Sequence, residues 1–240
     1  MVNIPKPDMF QAFSLILFLL WMASPLHAGP IQGKVGYPGP VPPPKVIKTG
    51  KYAKVCGPEV RDQSLLVQNK GVQNVVVWLS GKDAKKNLKG EPGSYTLDQK
   101  NCSYVPHIVA MMKDSELTIL SSDPINHNIH TYSFENDPIN IMFIPGQEHV
   151  QEFEEPEPVK VECDLHSWMK AWIFVTPNPY FTISTAGGAY KIPEVPPGRY
   201  TLNFWHETLG EVSQDITVGD APLEVNIEFP EQTPKVSQKP

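Results

Sequence analysis

Seven consecutive residues, Cys163-Asp164-Leu165-His166-Ser167-Trp168-Met169, constrain this chain more than any other stretch. The pattern is C-x2-H-x2-M, so a thiolate, an imidazole and a thioether are confined to one tight loop. Before it, residues 159–162 alternate apolar and polar; after it, residues 171–175 are an apolar run. Both flanks read as strands, and the loop as their connection. One loop cannot surround an ion, so a further donor has to come from a neighbouring strand. Asn126-His127-Asn128-Ile129-His130 offers two histidines about 40 residues upstream.

Those side-chain types point to copper. Cu(I) favours soft sulfur, Cu(II) accepts imidazole and thiolate, and a His2Cys plane with a long axial Met serves both. Zinc more often recruits further Cys or His, and a thioether is a poor zinc ligand. A lone C-x2-H is usually chance; the Met at the same spacing, the upstream histidines and the strand-loop-strand setting give it weight. His107, which follows Pro106 on an expected strand, can approach the metal or serve as a hydrogen-bonded structural residue. His206, in Trp205-His206-Glu207, can belong to a second metal site or serve as a hydrogen-bonded strand end, and the second reading leads. If His107 or His130 took the place of Met169, the copper would be harder and open to an exogenous ligand. Otherwise the chain has no nucleophile elbow, H-E-x-x-H or phosphate loop, and it reads as a protein that is not an enzyme.

The segments 122–134 and 159–175 resemble the cupredoxin family, of the amicyanin/plastocyanin-like blue copper type. The short loop has the amicyanin spacing, and His127-Asn128-Ile129-His130 is similar to an H-N-V-H stretch in which only the first histidine binds metal. The resemblance implies His127, Cys163, His166 and Met169 as ligands and leaves His130 outside. In that family the residue after the Cys is often Ser or Thr, hydrogen-bonded to the Asn beside the first His. Here it is Asp164, which puts that link to Asn128 in doubt.

Residues 1–28 read as a secretory signal peptide: a polar start with Lys6, an apolar run over 13–22 and small residues before Gly29. The apolar run is short for a membrane anchor. The expected location is periplasmic or secreted, with a mature protein that does not span a membrane. Three cysteines then invite a pairing argument. With Cys163 as thiolate, Cys56 and Cys102 remain for a disulfide suited to an oxidising compartment, unless one pairs with another chain. Acidic residues exceed basic ones, 26 to 20, which argues against nucleic acid. Glu152, Glu154, Glu155 and Glu157 make an acidic run, either a solvated loop or a docking surface for a basic redox partner.

The 26 prolines and the short alternating runs between Gly and Pro argue for an all-β chain. Strands are expected at 31–35, 64–67, 72–79, 104–112, 116–120, 126–134, 150–153 and 159–162. Residues 82–93 are expected as a surface loop or short helix. Beyond Pro177-Asn178-Pro179, about five more strands fit in roughly 50 residues. There, Val195-Pro196-Pro197-Gly198-Arg199-Tyr200-Thr201-Leu202 resembles the turn of carboxypeptidase-regulatory-like or transthyretin-like β-sandwiches. The expected organisation is a signal peptide (1–28), a cupredoxin-like Greek-key β-sandwich (29–177), a smaller transthyretin-like β-sandwich (178–230) and a disordered tail (231–240).

The leading expectation is an exported one-electron carrier, with His166 as the exposed edge for electron transfer and Trp168 either in a docking patch or packed inward. A redox partner would dock near His166 or on the acidic run. The alternatives are a copper carrier or storage protein without electron transfer, and a surface or carbohydrate-binding protein with a vestigial copper site.

Overall fold

The computed structural model describes residues 28–231, so the expected signal peptide and tail lie outside the described residues apart from residues 28 and 231. The described chain is all-β, with short helices at Ala53–Cys56 and Lys82–Asn87, the second inside the segment expected as loop or helix.

Four sheets stack as two sandwiches. The inner sandwich opposes two sheets. In one, Glu148–Phe153, Ser115–Ser121, Ser94–Lys100 and Ser103–Val105 lie side by side. The other runs Asn140–Phe143, His127–Tyr132, Pro158–Glu162, Lys170–Thr176, Ile108–Met112. Between them sits a core that includes Leu97, Tyr104, Met111, Ile119, Ile129, Phe143, Phe153, Val161 and Ile173. In the outer sandwich, one sheet is built on Gly29–Gly36, flanked by Ala189–Val195. The other runs Phe181–Ile183, Val76–Ser80, Gly198–His206, Gly210–Val218. Its core includes Ile31, Val35, Val77, Leu79, Leu202 and Phe204.

The two-residue period of a strand explains how the sandwiches join. In Lys170–Thr176, Ala171, Ile173 and Val175 face the inner core, which turns Trp172 and Phe174 outward. In Ile108–Met112, Val109 and Met111 face inward, and Ile108 and Ala110 outward. Those outward residues meet Val76, Trp78, Phe181 and Trp205 of the outer sandwich in a third apolar layer. Sheets covered on both faces need apolar residues at consecutive positions, which is why 75–79 and 171–175 read as unbroken apolar runs.

The strand pairing corrects the expected division at 29–177 and 178–230. Gly29–Gly36 pairs with Ala189–Val195, and Val76–Ser80 pairs with Phe181–Ile183 and Gly198–His206. Every strand of the inner sandwich lies between Ser94 and Thr176. The inner sandwich is therefore an uninterrupted insert in the outer one, whose strands come from both ends of the chain. Pro177 marks one boundary; the other falls between helix Lys82–Asn87 and strand Ser94–Lys100. The expected strand 104–112 is two strands, Ser103–Val105 and Ile108–Met112, in different sheets, parted where Pro106 removes a backbone donor. Of 64–67, only Val67 is in a strand, Val67–Gln68, and 72–79 divides into Gly71–Val72 and Val76–Ser80.

Candidate metal centre

His127 opens strand His127–Tyr132, two strands away from Lys170–Thr176 in the five-stranded sheet. Between them Pro158–Glu162 delivers the chain to Cys163, and the loop 163–169 returns it to Lys170. The loop is closed by its own backbone: Met169 N–H donates to the His166 carbonyl at 2.8 Å, and Cys163 N–H to the Met169 carbonyl at 3.2 Å. This geometry turns Cys163 and His166 of the loop toward the first residue of the neighbouring strand.

His127, Cys163 and His166 offer ligand atoms that lie within 4.8 Å of one another, and all three are buried. His127 Nδ1 is 3.0 Å from His166 Nδ1, and Cys163 Sγ is 3.7 Å from the same atom. Metal–nitrogen bonds of about 2.0 Å and metal–sulfur bonds of about 2.3 Å let one ion reach all three. Met169 is buried in the same core cluster as Cys163. Two imidazoles, one thiolate and a neighbouring thioether are a donor set that fits copper.

Both histidines are held neutral, the form in which an imidazole binds metal. Burial pushes His127 below its ordinary value, against the opposing pull of Asp123. Burial pushes His166 down to about 4, with further repulsion from His127 and Lys51. His127 Nε2–H donates to Asp123 Oδ2 at 2.9 Å, which leaves Nδ1 facing Cys163 and His166. The Asp123 carboxylate also accepts the backbone N–H groups of Asn101 and Cys102, each at 2.7 Å. Asp123 and Cys102 form a second close group with His127, but Cys102 is committed to a disulfide. Sequence reasoning passed over Asp123; its position four residues before His127 was the available signal.

Asp164 keeps the link that seemed in doubt. Its backbone N–H donates to Asn128 Oδ1 at 2.7 Å, and Asn128 Nδ2 donates back to its carboxylate at 2.9 Å. Asn140 Nδ2 and the His130 ring add to the same carboxylate. Hydrogen bonds from His130 and Asn140 hold the Asp164 carboxyl below its usual range. His130 thus engages Asp164 and stacks on Tyr132, outside the trio. His107 pairs with Glu207 of the outer sandwich, whose other oxygen accepts Trp172 Nε1–H at 3.0 Å. His206 is buried, and its Nδ1 accepts the N–H groups of Thr208 and Leu209.

Cys56 and Cys102 form a disulfide, and Cys163 is free and buried. The bridge anchors a strap in which Val46–Lys48 pairs with Glu59–Arg61 around a short helical turn. At that turn the Tyr52 ring stands over His166, centroids 4.3 Å apart. The expectation that His166 is an exposed edge is therefore corrected: it is 1% exposed, walled by Tyr52 and Trp168. Trp168 is half-buried, and its Nε1–H donates to the Cys102 carbonyl at 3.1 Å, so it packs into the fold. The acidic run is also reduced. Glu157 is buried and accepts the backbone N–H groups of Phe134, Glu135 and Asn136. It lies at the far end of Pro158–Glu162 from Cys163, about 20 Å away at the rise of a strand.

No protein-family model and no curated protein matches the chain. Similar solved structures include the copper-containing nitrite reductase NirK of Thermus scotoductus SA-01, at 17% identity and TM-score 0.33, covering 37% of this chain and 23% of that one. The chain thus spans less than a quarter of that reductase's length. A purple cupredoxin from Nitrosopumilus maritimus is similar at 19% identity and TM-score 0.30, covering 34% and 99%. A Cu(I) form of an amicyanin mutant is similar at 15% identity and TM-score 0.32, covering 35% and 82%. Likenesses at these scores carry no weight for function; the donor residues of the site carry it.

Proposed function

We propose that the chain binds one copper ion through His127, Cys163 and His166, with Met169 as the axial ligand, and serves as a one-electron carrier outside the cytoplasm. The observation that carries this reading is the buried convergence of two imidazoles and the free Cys163 thiol within 4.8 Å. Copper would supply the Cu(I)/Cu(II) couple; the chain supplies a fixed donor set that both states accept. Asp123 holds His127 in one tautomer, Asn128 and Asp164 tie the two ligand-bearing segments together, and the core around Cys163 and Met169 keeps water out. The outer sandwich, proposed as transthyretin-like, contributes no ligand.

The test is an optical spectrum of the copper-loaded, oxidised protein. An intense visible band from Cys163 thiolate-to-copper charge transfer is expected, and Cys163→Ser should remove it. Met169→Gln should keep the band and lower the reduction potential, because an oxygen donor favours Cu(II). A loaded protein without the band would overturn the reading. A band without a reversible redox couple would favour copper carriage or storage instead.

A further inference from the structure

The chain carries a formal net charge of −6, yet the strap over the site is basic. Residues 45–61 hold Lys45, Lys48, Lys51, Lys54 and Arg61 against one acid, Glu59. All four lysines are exposed. The strap is braced internally by the pairing of Val46–Lys48 with Glu59–Arg61 and by Thr49 N–H donating to the Pro58 carbonyl at 3.2 Å, and the Cys56–Cys102 disulfide ties it to the inner sandwich. It is a fixed wall of the site. Tyr52, half-exposed, is the ring between His166 and the outside.

We infer that this basic strap is the face through which the electron passes, and that it takes a redox protein with an acidic docking face. The inference rests on the copper reading above. His166 is walled by Tyr52 of the strap and by Trp168 of the ligand loop, so an electron leaving past the Tyr52 ring crosses the strap. A partner seated there meets the lysines within about one screening length, 8–10 Å at ordinary ionic strength. Lys170, exposed at the end of the ligand loop, adds to the same side, and Arg61 lines a cleft shared with Trp168 and Lys170. The opposing acids are Glu59, Asp62, Glu162, Glu207 and Asp164; Glu162 pairs with Lys170 at 3.7 Å, Glu207 with His107, and Asp164 is engaged by His130, Asn128 and Asn140. The exposed glutamates of the 152–157 run lie at the other end of the sandwich, too far to set the field at the strap.

The local and overall charges have opposite sign, and that makes the inference testable. The copper-loaded, reduced full chain is mixed with hexacyanoferrate(III), an anionic one-electron oxidant, over a range of ionic strength. One electron passes from Cu(I) to Fe(III), leaving Cu(II) and Fe(II), and no proton moves. Reaction at the strap predicts a rate that falls about 3–10-fold as salt is raised from low to physiological levels. Reaction governed by the overall charge predicts a rate that rises with salt. The variant K45E/K48E/K54E leaves Lys51 and Tyr52 in place and should reverse the slope while the visible band stays unchanged. Tris(phenanthroline)cobalt(III), a cationic oxidant, should show the opposite trends. A rising rate with the unmodified protein, or a variant with the band and the original slope, overturns the strap as the docking face. Should the variant fail to fold, the slope of the unmodified protein decides alone. Absence of the visible band would instead overturn the copper reading, and this inference with it.

Discussion

The Tyr52 ring meets the His166 ring edge-on, with centroids 4.3 Å apart and planes at 77°. Tyr52 comes from a strap whose attachment to the ligand-bearing sandwich includes the Cys56–Cys102 bond. Two separate changes should therefore expose the same imidazole. In Tyr52→Ala, and in Cys56→Ala/Cys102→Ala, the metal-free protein should become reactive toward diethyl pyrocarbonate at His166, read by peptide mass spectrometry. Loss of the disulfide should also destabilise the fold by about 2–4 kcal/mol in denaturant titration. If His166 is modified equally fast in the unaltered protein, the strap is not its cover.

Asp123 and His127 form a carboxylate–histidine pair, and the carboxylate is itself pinned by two backbone N–H groups. Partners of this kind orient a ligand imidazole, and their loss commonly costs 10–100-fold in metal affinity. Asp123→Asn keeps an acceptor in place but removes the charge. Chelator competition should show copper affinity reduced about 10–100-fold, and voltammetry a raised reduction potential, since a nearby negative charge favours Cu(II). Asp123→Ala should in addition lower stability by roughly 1–3 kcal/mol, because the Asn101 and Cys102 donors lose their acceptor. Unchanged affinity and potential in Asp123→Asn would leave Asp123 a purely structural residue.

The ligand loop was legible because its chemistry is local: residue types and spacing on one connection fix what can meet. The disulfide was legible by counting cysteines. Tyr52 was not, since nothing in Lys51-Tyr52-Ala53 distinguishes it from any exposed turn until Cys56 is known to lie against Cys102. Strand Ser94–Lys100 was missed because its inward positions alternate Tyr95, Leu97 and Gln99, and the buried Gln99 breaks the apolar pattern while its Nε2–H donates to the Leu120 carbonyl. The boundary at Pro177 was read from punctuation. The insertion was not, because strand partners such as Ile31 and Ile192 are remote in sequence and each carries only the same alternating pattern.

His206 gives the metal-free fold a pH dependence of defined sign. Burial pushes its imidazole down to about 4 from the ordinary 6.5, opposed by Glu207 and reinforced by His107. The unfolded chain therefore binds the proton first. The contribution of neutral His206 is complete above pH 6.5 and is lost as the pH falls through that value toward 4, up to roughly 3 kcal/mol. Buried His166 acts in the same direction. His206→Asn keeps a side-chain acceptor for the Thr208 and Leu209 N–H groups without a group that titrates there. Denaturant melts of the metal-free protein between pH 7 and 4.5 should show a shallower loss of stability in this variant. An identical slope would show that His206 does not titrate on unfolding.

The nesting of the sandwiches predicts how the chain responds to being cut. A protein ending at Pro177 retains every proposed ligand, but Gly29–Gly36 loses its partner Ala189–Val195, and Val76–Ser80 loses Phe181–Ile183 and Gly198–His206. It also bares Ile108, Ala110, Trp172 and Phe174, which the outer sandwich covers. Unpaired strand edges beside an apolar face are a route to aggregation. The expected outcome is a product that aggregates on expression. A fragment spanning residues 91–177 keeps all strands of the inner sandwich. With Cys102→Ala to remove the unpaired thiol, and with the outward Trp172 and Phe174 replaced by Thr, it should remain monomeric in size-exclusion chromatography and bind copper at His127, Cys163 and His166. A protein ending at Pro177 that stays monomeric and folded would show instead that residues 29–93 hold together without the strands beyond Pro177.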